Sequence, residues 1–287
     1  MKHNRMLWGV IAPLLALASC TPSEPASESQ YFGADAEKVC VDQLPPLFQA
    51  ILAESVDSLK EALEKDKASI DLPYPKRIWA MFCTTDNKHD DRCIAKDTTP
   101  LLLAAQIGNR DAAKLLIDAG ASMTQYNEEG CSALHYAVIN ADTVLINLLI
   151  DKGINVDIPT VANQTFEVSP SVFREMGFET LEDYREGCAG KTPLHDAVSL
   201  GHPEILELLV VRGASIGAKD NLGWTALHGA ASICQVESIE TLIRLGVDTK
   251  AKTKRGELPS ALIGIGGPYL QDFEERCEKA KALLAAH

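Results

Sequence analysis

Basic charge is scarce in this chain. Lys and Arg number 27 against 40 Asp and Glu, which leaves a net charge of −13 over 287 residues. Phosphate backbones and anionic lipid surfaces repel such a chain, so neither nucleic acid nor direct docking on lipid is expected. The acidic balance suits a basic protein partner, or simply maintains solubility. Long apolar runs are also missing: Met6 to Leu17 is too short to span a bilayer as a stable helix, and no other run is long enough. Catalytic signatures are absent as well, with no nucleophile elbow, no phosphate-binding glycine loop and no metal-ligand helix motif. Gly264-Ile265-Gly266-Gly267-Pro268 lacks the flanking strand and helix that a nucleotide loop requires, and reads as a terminator and turn. The expectation is a protein that is not an enzyme, with no catalytic residue, no cofactor and no metal.

What the chain does contain is a repeat. Gly190-Lys191-Thr192-Pro193-Leu194-His195-Asp196-Ala197 returns 33 residues later as Gly223-Trp224-Thr225-Ala226-Leu227-His228-Gly229-Ala230. Thr99-Pro100-Leu101 and Ser132-Ala133-Leu134-His135 lie in the same frame, as do the less regular Pro45-Pro46-Leu47 and Ser260-Ala261-Leu262. Each octet is followed by a short apolar-striped helix stopped by glycine, as in Glu204 to Gly213 and Glu237 to Gly246. The Thr hydroxyl suits a helix N-cap, and Pro suits the first turn, where its missing N–H costs nothing. The octet and its period resemble the ankyrin repeat family. The resemblance implies an all-α solenoid of about six repeats with atypical ends, and a binding surface in place of an enclosed catalytic core. It also implies that His135, His195 and His228 hydrogen-bond between adjacent turns. They are therefore read as framework, with metal ligation or base catalysis as the minor alternative.

The N-terminal segment carries a second signal. Lys2 and Arg5 flank the apolar run, which ends in Leu17-Ala18-Ser19-Cys20. This resembles a bacterial lipobox and implies a signal peptide over residues 1–19 and a lipid on the Cys20 thiol. Thr21 is not the Asp of an inner-membrane retention signal, which favours the outer membrane, facing the periplasm. Residues 20–36, rich in Pro and Ser, read as a flexible tether, and residues 37–287 as the repeat domain.

An oxidising compartment makes disulfides the default. Cys83 and Cys93 bracket a polar loop that also offers a metal alternative through His89 and Asp90. Cys131 and Cys188 precede successive octets, and Cys234 with Cys277 forms a weaker candidate pair. Cys40 is then left over, or competes with Cys83 or Cys93.

Two interruptions of the 33-residue rhythm, at residues 72–96 and 158–188, fall where the family places its β-hairpin fingers. The resemblance implies two enlarged fingers flanking a short one at Asn127-Glu128-Glu129, able to grip a partner. Candidate contact residues are Tyr74, Arg77, Trp79 and Phe82 in the first, and Phe173, Phe178 and Tyr184 in the second. Asn127, Glu128, Glu129, Asp220 and Asn221 are the candidates at the short turns. Trp and Arg are enriched at binding hot spots. The aromatics equally suit small cores inside each excursion. Some bacterial ankyrin lipoproteins resemble immunity proteins that hold a periplasm-active toxin, such as a type VI secretion lipase, in an inactive complex. This implies a protein partner, in particular a basic toxin or hydrolase. The alternative is a periplasmic scaffold or envelope-stress adaptor with no toxin partner.

Overall fold

The dominant local motif is a Thr or Ser that ends an extended stretch and starts a seven-residue helix. The computed structural model describes residues 37–76, 78–81, 92–162, 179–187, 189–265 and 272–287, with backbone alone at 37, 38, 78–81, 92, 93 and 184. Thr99 caps α3 (Pro100–Gln106) by accepting from Leu102 N at 3.3 Å, with Pro100 in the first turn. Ser132, Thr192 and Thr225 cap α5 (Ala133–Ile139), α8 (Pro193–Ser199) and α10 (Ala226–Ser232) in reciprocal boxes whose third helical residue is His. The earliest short helix is α1 (Pro46–Leu52).

Each short helix is followed by a longer one: α2 (Val56–Lys65), α4 (Arg110–Ala119), α6 (Thr143–Asp151), α9 (Pro203–Val211) and α11 (Val236–Arg244). Ser55, Asn109 and Asp142 cap the first three of these through side-chain oxygens. Short and long helices pack pairwise, and short helices also pack on the short helices of neighbouring pairs.

The chain divides into two compact units. In the unit formed by residues 19–154, α1 to α6 bury Ile51, Leu59, Leu101, Leu103, Leu116, Leu134, Leu145 and Ile146 at 1% exposure or less. In the unit that holds residues 155–287, α8 to α11 bury Leu194, Val198, Ile205, Leu206, Leu209, Leu227, Ile239 and Leu242 equally well. A single-turn 3-10 helix, Pro259–Leu262, takes the short-helix place after α11, and α12 (Phe273–Ala285) packs on α11. No helix among the described residues is long and apolar enough to cross a membrane.

The all-α expectation needs one amendment. Strands β1 (Glu37–Cys40), β2 (Ile78–Met81) and β3 (Arg92–Ile94) form a sheet of order β1-β2-β3. β2 and β3 pair antiparallel, with Trp79 opposite Cys93, and β1 adds in parallel with Cys40 opposite Met81. The physical reason is that a hairpin leaves a strand edge with unpaired backbone groups, and the segment ahead of α1 satisfies them. The interruptions close at their bases. Tyr74 N donates to Thr98 O at 2.8 Å, and Asp97 N returns to Tyr74 O at 2.7 Å. Thr160 N donates to Lys191 O at 2.7 Å, and Gly190 N to Thr160 O at 2.9 Å. The described end of the second interruption is a helix rather than a strand: α7 (Leu181–Gly187), started by a reciprocal Thr180–Asp183 box.

Two cysteine expectations are settled by the fold. Cys234 and Cys277 form a disulfide that ties the α10–α11 turn to α12. Cys40 is disulfide-bonded, so it is not left over. Cys131 corrects the expectation of a Cys131–Cys188 bridge: it is a thiol, 1% exposed, turned towards the Glu129 carbonyl of its own turn. Cys20, Cys83 and Cys188 lie outside the described residues, and Cys93 is described in its backbone only.

Candidate protein-binding surface

Ahead of α5, α10 and the 3-10 helix Pro259–Leu262 the backbone makes the same turn, organised from within by one polar side chain. Asp220 Oδ1 accepts from Leu222 N at 2.9 Å and from Trp224 N at 2.8 Å. Thr253 Oγ1 accepts from Arg255 N and Glu257 N, both at 3.2 Å. In the other unit, Asn127 Oδ1 accepts from Glu129 N at 3.1 Å and Cys131 N at 3.3 Å. A glycine at positive φ completes each turn, at Gly130, Gly223 and Gly256.

Successive turns are stitched together by backbone hydrogen bonds: Glu128 N to Lys96 O, Asn221 N to Ala189 O, and Lys254 N to Leu222 O, at 2.9 to 3.0 Å. The approach is close enough to require glycine. A Cβ on Gly190 would lie 2.9 Å from Asn221 N, and one on Gly223 would lie 2.7 Å from Lys254 N.

The histidines brace these turns from beneath. His195 Nδ1 accepts from Thr192 N at 3.1 Å, so its proton sits on Nε2, which donates to Trp224 O of the following turn at 3.1 Å. His228 repeats this with Thr225 N and Glu257 O. Burial, the largest cause, lowers the His195 pKa to about 4 and also lowers that of His228. Both are neutral struts. Among the described residues no group of three His, Cys, Asp or Glu side chains is placed to hold a metal.

Two neighbouring carboxyls behave differently. Asp220, 8% exposed, is pushed up to about 6 by burial, against its backbone donors and the Lys191 charge. Asp196, 1% exposed, is pushed up to about 7 by burial, against Lys191 alone, and neither of its oxygens has a hydrogen-bond partner.

The candidate contact residues separate accordingly. Asn127 and Asp220 correct the expectation of a direct contact, because both are buried and their side-chain oxygens hold their own turns. Asn127 Nδ2 also donates to Tyr136 Oη at 2.6 Å, and that hydroxyl donates to Glu129. Glu128 accepts from Lys96 N at 2.7 Å. Tyr74 sets its ring 5.7 Å from that of buried Phe48, so part of it belongs to the α1 core. Asn221 is exposed. Arg77, Phe82, Phe173 and Phe178 lie outside the described residues, and Trp79 and Tyr184 are described in their backbone only.

Trp224 is the residue that the sequence reading passed over. It is half-buried on the turn, and it follows the turn glycine, as Lys191 and Glu257 do at a spacing of 33. That periodic position, variable while its neighbours repeat, was the available signal. Its surroundings differ in sign from the net charge of the chain. Lys219, Lys250, Lys252, Lys254 and Arg255 are all exposed on or beside the last two turns, so this edge is locally basic and does not suit a basic partner.

Comparison with known proteins agrees with this geometry. A family model described as ankyrin repeats (3 copies) matches residues 47–160 and 174–253. A putative ankyrin repeat-containing protein of Treponema pallidum is 46% identical over 79 residues, 28% of this chain and 25% of that protein. A putative ankyrin repeat protein of fowlpox virus is 28% identical over 129 residues, 41% of this chain and 38% of that protein. The chain thus spans well under half the length of these relatives. Palmitoyltransferase ZDHHC13 of Mus musculus is 28% identical over 153 residues, 50% of this chain but 20% of that enzyme, so the likeness carries no transferase activity across. The family model covers more than half of the sequence, and the chain belongs to the ankyrin repeat family, whose repeats bind other proteins.

Proposed function

We propose that this chain is a non-enzymatic, lipid-anchored inhibitor that holds a periplasm-active toxin in an inactive complex. The repeats supply the protein-binding surface. The observation that carries the compartment is the disulfide between Cys234 and Cys277, together with the disulfide-bonded Cys40, since such bonds persist in oxidising surroundings. This supports export, in agreement with the lipobox reading of Cys20, and an anchor there places the inhibitor beside the membrane that a lipase-like toxin attacks. The interruptions at 72–96 and 158–188 are the features that depart most from a bare repeat, and specificity is assigned to them together with the turn edge.

The test is capture from a periplasmic extract with the mature chain as bait. A stoichiometric complex with one hydrolase, and loss of that hydrolase's toxicity on co-expression, is expected. Recovery of resident envelope proteins alone would sink the inhibitor reading.

A further inference from the structure

The last two turns of the unit containing residues 155–287 carry charge of the opposite sign to the chain. Lys219, Lys250, Lys252, Lys254 and Arg255 are exposed there, although the chain as a whole is at −13. These two turns hold three acids against the five cations, each acid accepting a hydrogen bond within its own turn. Exposed Glu186 adjoins them through its backbone carbonyl, which accepts from Asn221 Nδ2 at 2.7 Å. Asp248 accepts from Lys250 N at 2.9 Å, Glu257 from the Thr253 hydroxyl at 3.1 Å, and Asp220 is buried on its own backbone donors.

Ion pairs elsewhere among the described residues lie largely on the helices, as in Asp118–Lys152, Glu207–Arg244, Glu237–Arg276 and Glu275–Lys279. Lys219, Lys250, Lys252 and Lys254 take part in none of the ion pairs among the described residues. Lys219 instead donates to the Lys252 carbonyl at 2.8 Å, which fixes its ammonium between the two turns. Because the turns are zipped by Lys254 N to Leu222 O, the cations stand on a pre-organised backbone. Half-buried Leu222 and Trp224 lie beside them.

Resting on the protein-binding reading above, we propose that this turn edge docks an acidic protein segment. Four exposed lysines outside the ion pairs give the edge a positive field that carboxylates complement, and Trp224 beside them is of a residue type enriched at hot spots. The range of the field favours a narrow ligand. At physiological salt the screening length is about 8 Å, so an extended acidic segment lying on the strip feels the local cations and little of the rest. A bilayer or a duplex reaches far beyond that distance and meets the chain's excess acids. A protein segment is therefore the occupant.

The test is fluorescence anisotropy of a labelled peptide of repeated Glu-Asp-Leu with the mature full-length chain. The same chain carrying Lys252→Glu and Lys254→Glu is the comparison. Both substitutions are exposed, and unchanged melting shows that the variant is folded. Binding that weakens with salt and falls at least about tenfold in the double variant is expected. Equal binding by variant and parent overturns the proposal, as does tighter binding to phosphatidylglycerol vesicles or to an oligonucleotide than to the peptide. The two readings fail separately. If the captured partner binds the variant as well as the parent, protein binding stands and the acidic strip falls. If the parent captures no protein, the underlying reading falls.

Discussion

Replacing Asp196 by Asn is expected to stabilise the protein by about 2 to 4 kcal/mol at pH 8, and hardly at all at pH 4. Asp196 lies in the first turns of α8 at 1% exposure, with no donor on either oxygen. Its folded-state pKa of about 7 stands above the unfolded value near 3.9, a raised case. The favourable contribution is complete below about pH 4 and is lost as pH rises to about 7, where the buried group must ionise. Asn removes the charge, while its buried amide, like the carboxyl it replaces, has no hydrogen-bond partner, which holds the gain below the full shift.

The adjacent residue has the opposite sign. His195, lowered to about 4, contributes fully above its unfolded pKa near 6.5, and that contribution is lost as pH falls towards 4. In the parent chain the two run against each other over this range. The difference between Asp196→Asn and parent in urea melts at several pH values isolates the carboxyl. It should rise from near zero at pH 4 to a plateau above pH 7. A flat difference would contradict the assignment.

Loss of the Cys234–Cys277 bridge is the second large effect. The cysteines are 43 residues apart, and the chain-entropy relation gives about 4 kcal/mol for a loop of that length. The consequence is local before it is global. α12 buries only Cys277, Ala280 and Leu284. Beyond these it is held by Arg276, which pairs with Glu237 and reaches the Cys234 carbonyl at 3.4 Å. Nearest-neighbour coupling in a repeat array lets a weakly held unit open alone. A Cys234→Ala, Cys277→Ala double variant, or the parent under reductant, should therefore show an early melting transition of the terminal helix ahead of the main one. A single unshifted transition after reduction would rule this out.

How far the fold was readable depended on whether the governing physics was local. The caps Thr99, Ser132, Thr192 and Thr225 are decided by residues three positions away, and they stand out in the octet. The histidine struts follow from the family resemblance, and the structure shows them donating to the next turn. β1 was hidden because Glu37–Cys40 is made a strand by β2, about forty residues further on. α7 was hidden because its interruption was read by its position in the family pattern, and the Thr180–Asp183 box was passed over. Asn127 and Asp220 look like surface residues in a turn sequence, yet the backbone N–H groups of a tight turn draw them inward. Asp196 is indistinguishable in sequence from a solvated helix acid. Net charge could not show the basic edge, because it sums the whole chain and hides a local cluster such as Lys250, Lys252 and Lys254 on one pair of turns.

The central claim is that the repeated frame is structural and that the turn edge with the interruptions makes the contact. Hydrogen–deuterium exchange on the protein, alone and with the partner it captures, tests this most directly. The account predicts new protection at the turns around Asn221 to Trp224 and Lys252 to Arg255 and in the interruptions, with the long helices α4, α6, α9 and α11 unchanged. Protection confined to those long helices would contradict it.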